Sequence, residues 1–133
     1  MKNLICLLLT VFLFILSSCK KDENVLRDAN LIGKWKIVAN KVGIAGPGEW
    51  INVPKDSNQQ IEFKANGGLA GNTRFSDDYA TYTIKDSITF TLTKKNSNII
   101  QNYRYRIKRD TLTMEPAGPI FCFEGCEIKL AKL

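Results

Sequence analysis

The sequence predicts an all-β fold, an antiparallel up-and-down β-barrel of about eight to ten strands. Three observations carry that prediction. From Leu31 to Leu133 apolar and polar residues alternate with period two nearly throughout, the spacing of strands with one buried face. Short clusters rich in Gly, Asn, Asp, Ser and Lys separate the alternating runs, and connections that brief join antiparallel neighbours. β-branched and aromatic residues are plentiful, and no long stretch carries an apolar stripe of helical period. A sheet with one apolar face at this size loses its exposed edges best by closing on itself. Two packed sheets are the alternative.

The first element is not part of the barrel. Residues 1–18 read as an export signal: Lys2 supplies the positive start, Leu4 to Leu16 an apolar core broken only by Thr10, and Ser17 and Ser18 the small residues. That core is shorter than the ~20 apolar residues a membrane-spanning helix needs. The run Leu16-Ser17-Ser18-Cys19 resembles the lipobox of bacterial lipoproteins. The resemblance implies that the Cys19 thiol accepts diacylglycerol, that the chain is cut before it, and that lipid holds the protein to the outer membrane. Residues 19–30 then form the lipidated cysteine and a polar tether. The nine residues KKDENVLRD (20–28) reach no more than about 30 Å at ~3.3 Å per residue. "KKDE" also resembles the Lys-plus-acidic signals that send some Gram-negative lipoproteins to the outer face, while a solvated linker is the plainer reading.

Residues 31–133 form one domain. After a possible helical turn in "VLRDAN" (25–30), "LIGKWKIV" (31–38) opens the first strand. "GIAGPGEW" (43–50) reads as a flexible rim loop that displays Trp50. "QQIEFKAN" (59–66) turns Ile61 and Phe63 to one face and Glu62 and Lys64 to the other, and "ANGG" (65–68) ends it. "DDYATY" (77–82) reads as turn and strand. "SITFTLTK" (87–94) alternates Ile88, Phe90 and Leu92 against threonines, after the turn "KDS" (85–87). Beyond "KKNSN" (94–98), "NYRYRIKRD" (102–110) sets Tyr103, Tyr105 and Ile107 against Arg104, Arg106 and Lys108. "TLTMEP" (111–116) and "CEIKLAKL" (126–133) complete the series.

Gly33-Lys34-Trp35, a Gly-x-Trp at the opening of the first strand, resembles the lipocalin and lipocalin-like families. The late Cys122-Phe123-Glu124-Gly125-Cys126 before a final basic strand is similar to the small lipocalin-like lipoproteins of Gram-negative envelopes. The resemblance implies that Gly33 lets the strand approach the preceding turn and that Trp35 plugs the closed end of the barrel. It also implies a basic side chain from the last strand lying across the indole. Lys132, on the face of Ile128 and Leu130, is the candidate, and Lys129 the second.

The functional classes narrow quickly. The chain has no histidine, which removes the commonest metal ligand and general base together. Outside the cytoplasm Cys122 and Cys126 are expected to pair, and one C-x3-C cannot close a tetrahedral metal site. The acids sit in turns or on outward positions, so neither an enzyme nor a cofactor is expected. Lysine and arginine outnumber acids 19 to 13, but in "YRYRIKR" alternation sends aromatics and charges to opposite faces, against a nucleic-acid surface. Arg104, Arg106 and Lys108 form an outer ridge, either simply solvated or facing anionic head groups or acidic glycans. Two readings remain open. In one the barrel holds a small apolar ligand near its open end, with Tyr82, Tyr103, Tyr105 and Trp50 as contacts. In the other the barrel is packed solid and an outer face meets a protein or glycan partner. A cavity above ~300 Å³ inside the barrel would separate them.

Overall fold

The computed structural model describes residues 28–43 and 46–133. The signal segment, Cys19 and the tether up to residue 27 lie outside the described residues. The nine strands are β1 (Gly33–Val42), β2 (Glu49–Asn52), β3 (Gln60–Phe63), β4 (Leu69–Gly71), β5 (Tyr79–Asp86), β6 (Thr89–Lys94), β7 (Ile100–Lys108), β8 (Thr111–Pro116) and β9 (Ile128–Lys132). One short helix, α1 (Arg74–Asp78), stands between β4 and β5. All pairings are antiparallel, in the order β4-β3-β1-β9-β8-β7-β6-β5.

β1 organises the sheet because both its edges are used. On one edge Gly33–Lys36 pair with β3 and Ala39–Val42 with β2. On the other, β9 returns to lie beside it, so the first and last strands close the barrel. The remaining seam, between β4 and β5, has no ladder. It is stitched by the bridge Gly68↔Thr81, by the Tyr82 amide donating to the Gly67 carbonyl at 2.8 Å, and by the Tyr82 hydroxyl donating to the Lys64 carbonyl at 2.9 Å. The barrel is thus nearly closed.

The up-and-down order sorts the connections by end. The β3–β4, β5–β6 and β7–β8 turns share one end with the start of β1 and the finish of β9. The β1–β2 loop, α1, the β6–β7 turn and the long β8–β9 loop share the other, the mouth. At the first end Leu31 and Trp35 are completely buried. The indole Nε1 donates to the Leu31 carbonyl at 2.8 Å. Lys132 lies over the ring with Nζ 5.1 Å from its centroid, and that same Nζ donates to the Asn30 carbonyl at 3.0 Å. Gly33 adopts φ +128°, a conformation that side chains rarely tolerate, and the Lys132 stem passes over it. This end is closed.

The inward residues predicted by alternation (Ile61, Phe63, Phe90, Leu92, Tyr103, Tyr105) are buried, together with Ile37, Leu112, Met114 and Leu130. Among the described residues the nine strands and the buried apolar side chains span Leu31 to Lys132.

Three local expectations are corrected. Ile88 does not continue the inward row of Phe90 and Leu92. It stands in the β5–β6 turn, 53% exposed, because the Asp86 carboxylate accepts its amide at 2.9 Å and rotates it outward. Trp50 is not in a rim loop but in β2, opposite Lys41. Asp77 and Asp78, expected as turn, end the short helix Arg74–Asp78. Thr73 caps it and exchanges hydrogen bonds with Ser76 in a capping box, where serine stands in for the Glu or Gln that marks the motif in sequence.

Trp35→Ala should lower stability by about 3–5 kcal/mol, since it empties the closed end. Lys132→Met, which keeps most of the apolar stem over the ring, should cost only about 0.5–1 kcal/mol. Urea unfolding of both variants checks the ordering, and a Trp35→Ala protein as stable as the parent would refute the plug.

Candidate functional site

The barrel interior is filled by rings. Phe63 meets Tyr82 edge-on at 5.1 Å and Phe90 at 5.5 Å, and Phe90 in turn meets Tyr103 at 5.7 Å and Tyr105 at 5.4 Å. Such edge-to-face and offset contacts are the preferred aromatic geometries, with centroids ~4.5–7 Å apart. Two spaces reach this cluster from outside: one of about 590 Å³ beside the closed end, bordered by Asp28, Ile88, Tyr105, Ile107 and Met114, and a cavity of about 240 Å³ over Tyr103 at the mouth.

Three elements build that cavity. The capping box fixes α1 and sets Phe75 edge-on against Tyr103 at 5.6 Å. β7 supplies Tyr103 and Gln101. The end of β8 supplies Pro116, and the stretch after it Ile120. Gln101, almost wholly buried, holds that stretch across the opening: its Nε2 donates to the Ile120 carbonyl at 2.8 Å and its Oε1 accepts the Ile120 amide at 3.2 Å. Arg74 and Asp78, 3.7 Å apart, mark the rim beside Tyr79.

The cavity mixes apolar walls (Phe75, Pro116, Ile120) with two phenols, the Gln101 amide and the Arg74–Asp78 rim. Burial, reinforced by the neighbouring Tyr79, pushes the Tyr103 hydroxyl well above the ordinary tyrosine range. Burial also raises Tyr79, with Asp78 adding to the effect and Arg74 opposing it. The Tyr103 hydroxyl bonds to no protein group among the described residues, so it can donate to a ligand. Among the described residues no group of His, Cys, Asp and Glu is arranged to hold a metal.

The residues singled out from sequence fall in four places. Tyr103 lines the mouth. Tyr82 seals the β4–β5 seam with its hydroxyl directed to the closed-end turn. Tyr105 donates to the Asp28 carboxylate at 3.0 Å, also toward the closed end, and burial followed by that hydrogen bond raises its pKa. The expectation that all three tyrosines gather near the open end is therefore corrected: successive inward positions on one strand step from mouth to base. Trp50 lies on the outer wall, 37% exposed, with Lys129 Nζ 4.0 Å and Lys41 Nζ 5.9 Å from its ring. The second candidate for the Trp35 lid, Lys129, thus covers the other tryptophan. Gly33, Trp35 and Lys132 meet at the closed end, and Cys19 is outside the described residues.

Cys122 and Cys126 are joined in a disulfide within the β8–β9 loop. This loop carries Phe121 and Phe123, the latter 90% exposed, with centroids 6.5 Å apart. Arg104 of the predicted outer ridge pairs with Glu115 at 2.9 Å, while Arg106 and Lys108 form no ion pair among the described residues. Sequence reasoning missed Phe75, Gln101 and Ile120 because their partners are distant in the chain.

Tyr103 and Tyr105 should resist ionisation at pH 10, where exposed tyrosines are half-titrated. Folding favours their neutral forms, so the stabilisation is complete below that pH and is lost as pH rises through their raised values. Alkaline titration followed by tyrosinate absorbance and circular dichroism should show these two ionising together with unfolding. Four tyrosines titrating near pH 10 in a folded protein would contradict the burial.

A family model described as a lipocalin-like domain matches residues 31–118, from the start of β1 through β8. No curated protein and no solved structure matches the chain.

Proposed function

We propose, proceeding from the fact that the chain belongs to the lipocalin-like domain family, that it is a lipid-anchored, non-enzymatic binding module of the cell envelope whose site is the barrel mouth. The observation that carries the reading is the division of the barrel into a ring-filled interior and an open cavity of about 240 Å³ over Tyr103. That volume lies below the ~300–1,000 Å³ of sites that engulf a whole drug-sized ligand. It suits one end of a molecule: an apolar body with a single polar group, such as a fatty acid or a quinone-like compound. The polar group would accept from the Tyr103 phenol beside Phe75 and Ile120, and the remainder would lie over the exposed apolar rim. Affinity comes from apolar burial and one hydrogen bond, with no cofactor and no chemistry.

The anchor follows from the lipobox-like Leu16-Ser17-Ser18-Cys19. Acylation of Cys19 with palmitate-containing lipid would hold the domain at the outer membrane, and the charged run after it favours the outer face. The solid interior also supports a second reading, in which the barrel is a scaffold and the exposed Phe121–Phe123 loop meets a partner protein.

Two measurements test these readings separately. Cys19→Ala should give a precursor that is neither cleaved nor labelled by palmitate, whereas normal processing and membrane recovery would refute the anchor. A fluorescent fatty acid should bind the unacylated domain saturably, and Tyr103→Phe should weaken it about 2- to 10-fold, the effect of one neutral hydrogen bond. Full affinity in both Tyr103→Phe and Ile120→Ser would remove the mouth site, and no uptake by a folded barrel would favour the scaffold.

A further inference from the structure

Charge is distributed unequally between the two ends. Every turn at the closed end carries a cation: Lys64 at β3–β4, Lys85 at β5–β6, Lys108 and Arg109 at β7–β8. Lys34 at the start of β1 and Lys132 at the finish of β9 stand beside them. Among the described residues the carboxylates at this end are Asp28, Glu62, Asp86 and Asp110. Asp28 is already taken up by Tyr105 and the Asn30 amide, and Asp86 by the Ile88 amide. None of the three ion pairs among the described residues involves a closed-end cation. Toward the mouth the balance reverses, with Glu49, Asp77, Asp78, Glu124 and Glu127 against Lys41, Arg74, Lys94 and Lys95.

A second observation gives this end a shape. A groove of about 530 Å³ runs beside the β7–β8 turn, bordered by Arg106, Lys108, Arg109 and Lys129, with the Thr111 and Thr113 hydroxyls and a single carboxylate, Asp110. Clustered cations with hydroxyl donors suit phosphate oxygens. Ile88 and Leu133, both more than half exposed, project at the same end and can enter the boundary between head groups and acyl chains.

We propose that the closed end is a docking face for an anionic lipid bilayer, with the groove between the β7–β8 turn and β9 receiving lipid phosphates. Residue 28 emerges at this end, so the barrel would stand with its mouth directed away from the bilayer. That orientation rests on the Cys19 anchor proposed above, but the docking itself does not. Each basic side chain near such a surface strengthens binding severalfold, and the attraction fades within a Debye length.

The test uses the unacylated chain from residue 20, which contains all nine described strands, and vesicles of phosphatidylcholine with or without about one-third phosphatidylglycerol. The folded protein should sediment with the anionic vesicles only and dissociate as salt is raised. Arg106→Glu/Lys108→Glu should weaken binding by at least about tenfold, whereas Lys94→Glu/Lys95→Glu, the same charge change at the mouth, should leave it nearly intact. Equal losses in the two double variants would reduce the effect to net charge and overturn the proposal. Salt-insensitive binding to neutral vesicles, abolished by Phe123→Ser, would assign the membrane to the mouth loop instead. Absence of binding would overturn the docking, and palmitate labelling of Cys19 would still decide the anchor independently.

Discussion

The indole of Trp35 sits where the beginning and end of the folded chain meet, and the closure of the barrel depends on that meeting. β1 can use both edges only if β9, about a hundred residues later, returns to the register Trp35↔Lys132. The indole rewards that register three times. It fills the base, it donates to the Leu31 carbonyl, and it offers its face to Lys132, whose ammonium also holds the Asn30 carbonyl. The turn before β1 is thereby tied to the last strand. Long-range pairing of this kind costs loop entropy that local contacts do not, so a strong, specific contact at the junction decides whether the cylinder forms.

Closure at one end dictates what the other can do. With Trp35 and Leu31 at the base and a chain of five aromatic rings above them, side chains fill the centre of the barrel. The tyrosines divide accordingly. Tyr82 and Tyr105 spend their hydroxyls on the Lys64 carbonyl and the Asp28 carboxylate, binding the seam and the leading turn to the wall. Tyr103, one inward step nearer the mouth, keeps its hydroxyl for the opening. The same residue type thus ties wall to turn or lines the opening according to its height in the barrel. The closed end, where the leading turn emerges and cations crowd, is suited to a surface; the mouth, apolar and weakly acidic, is suited to a small molecule.

The fold was legible because period-two alternation and short turns constrain strands directly, and Phe63, Phe90, Tyr103 and Tyr105 went inward as their spacing required. Gly33-x-Trp35 located the base, since both residues act within one local turn. What could not be read depended on contacts between distant segments. Ile88 fits the inward period, yet the Asp86 side chain diverts its amide into a turn. Trp50 follows glycines and a proline, yet Lys41 recruits it into a strand. Height within the barrel is set by strand stagger, which alternation does not encode, so the three tyrosines could be assigned to a face but not to an end. The mouth needed α1, Gln101 of β7 and Ile120 brought together from three separate segments, and its capping box lacked the glutamate that would have announced it.

The central claim is that binding is confined to the mouth because the interior is solid. Nuclear magnetic resonance titration of the unacylated domain with a fatty acid tests it directly. The account predicts that signals of Phe75, Tyr79, Gln101, Tyr103 and Ile120 shift while the side chains of Trp35, Phe63 and Tyr105 stay unmoved. Ligand contacts reaching Trp35 and Phe63 would contradict it, since the barrel would then open an interior that its packing denies.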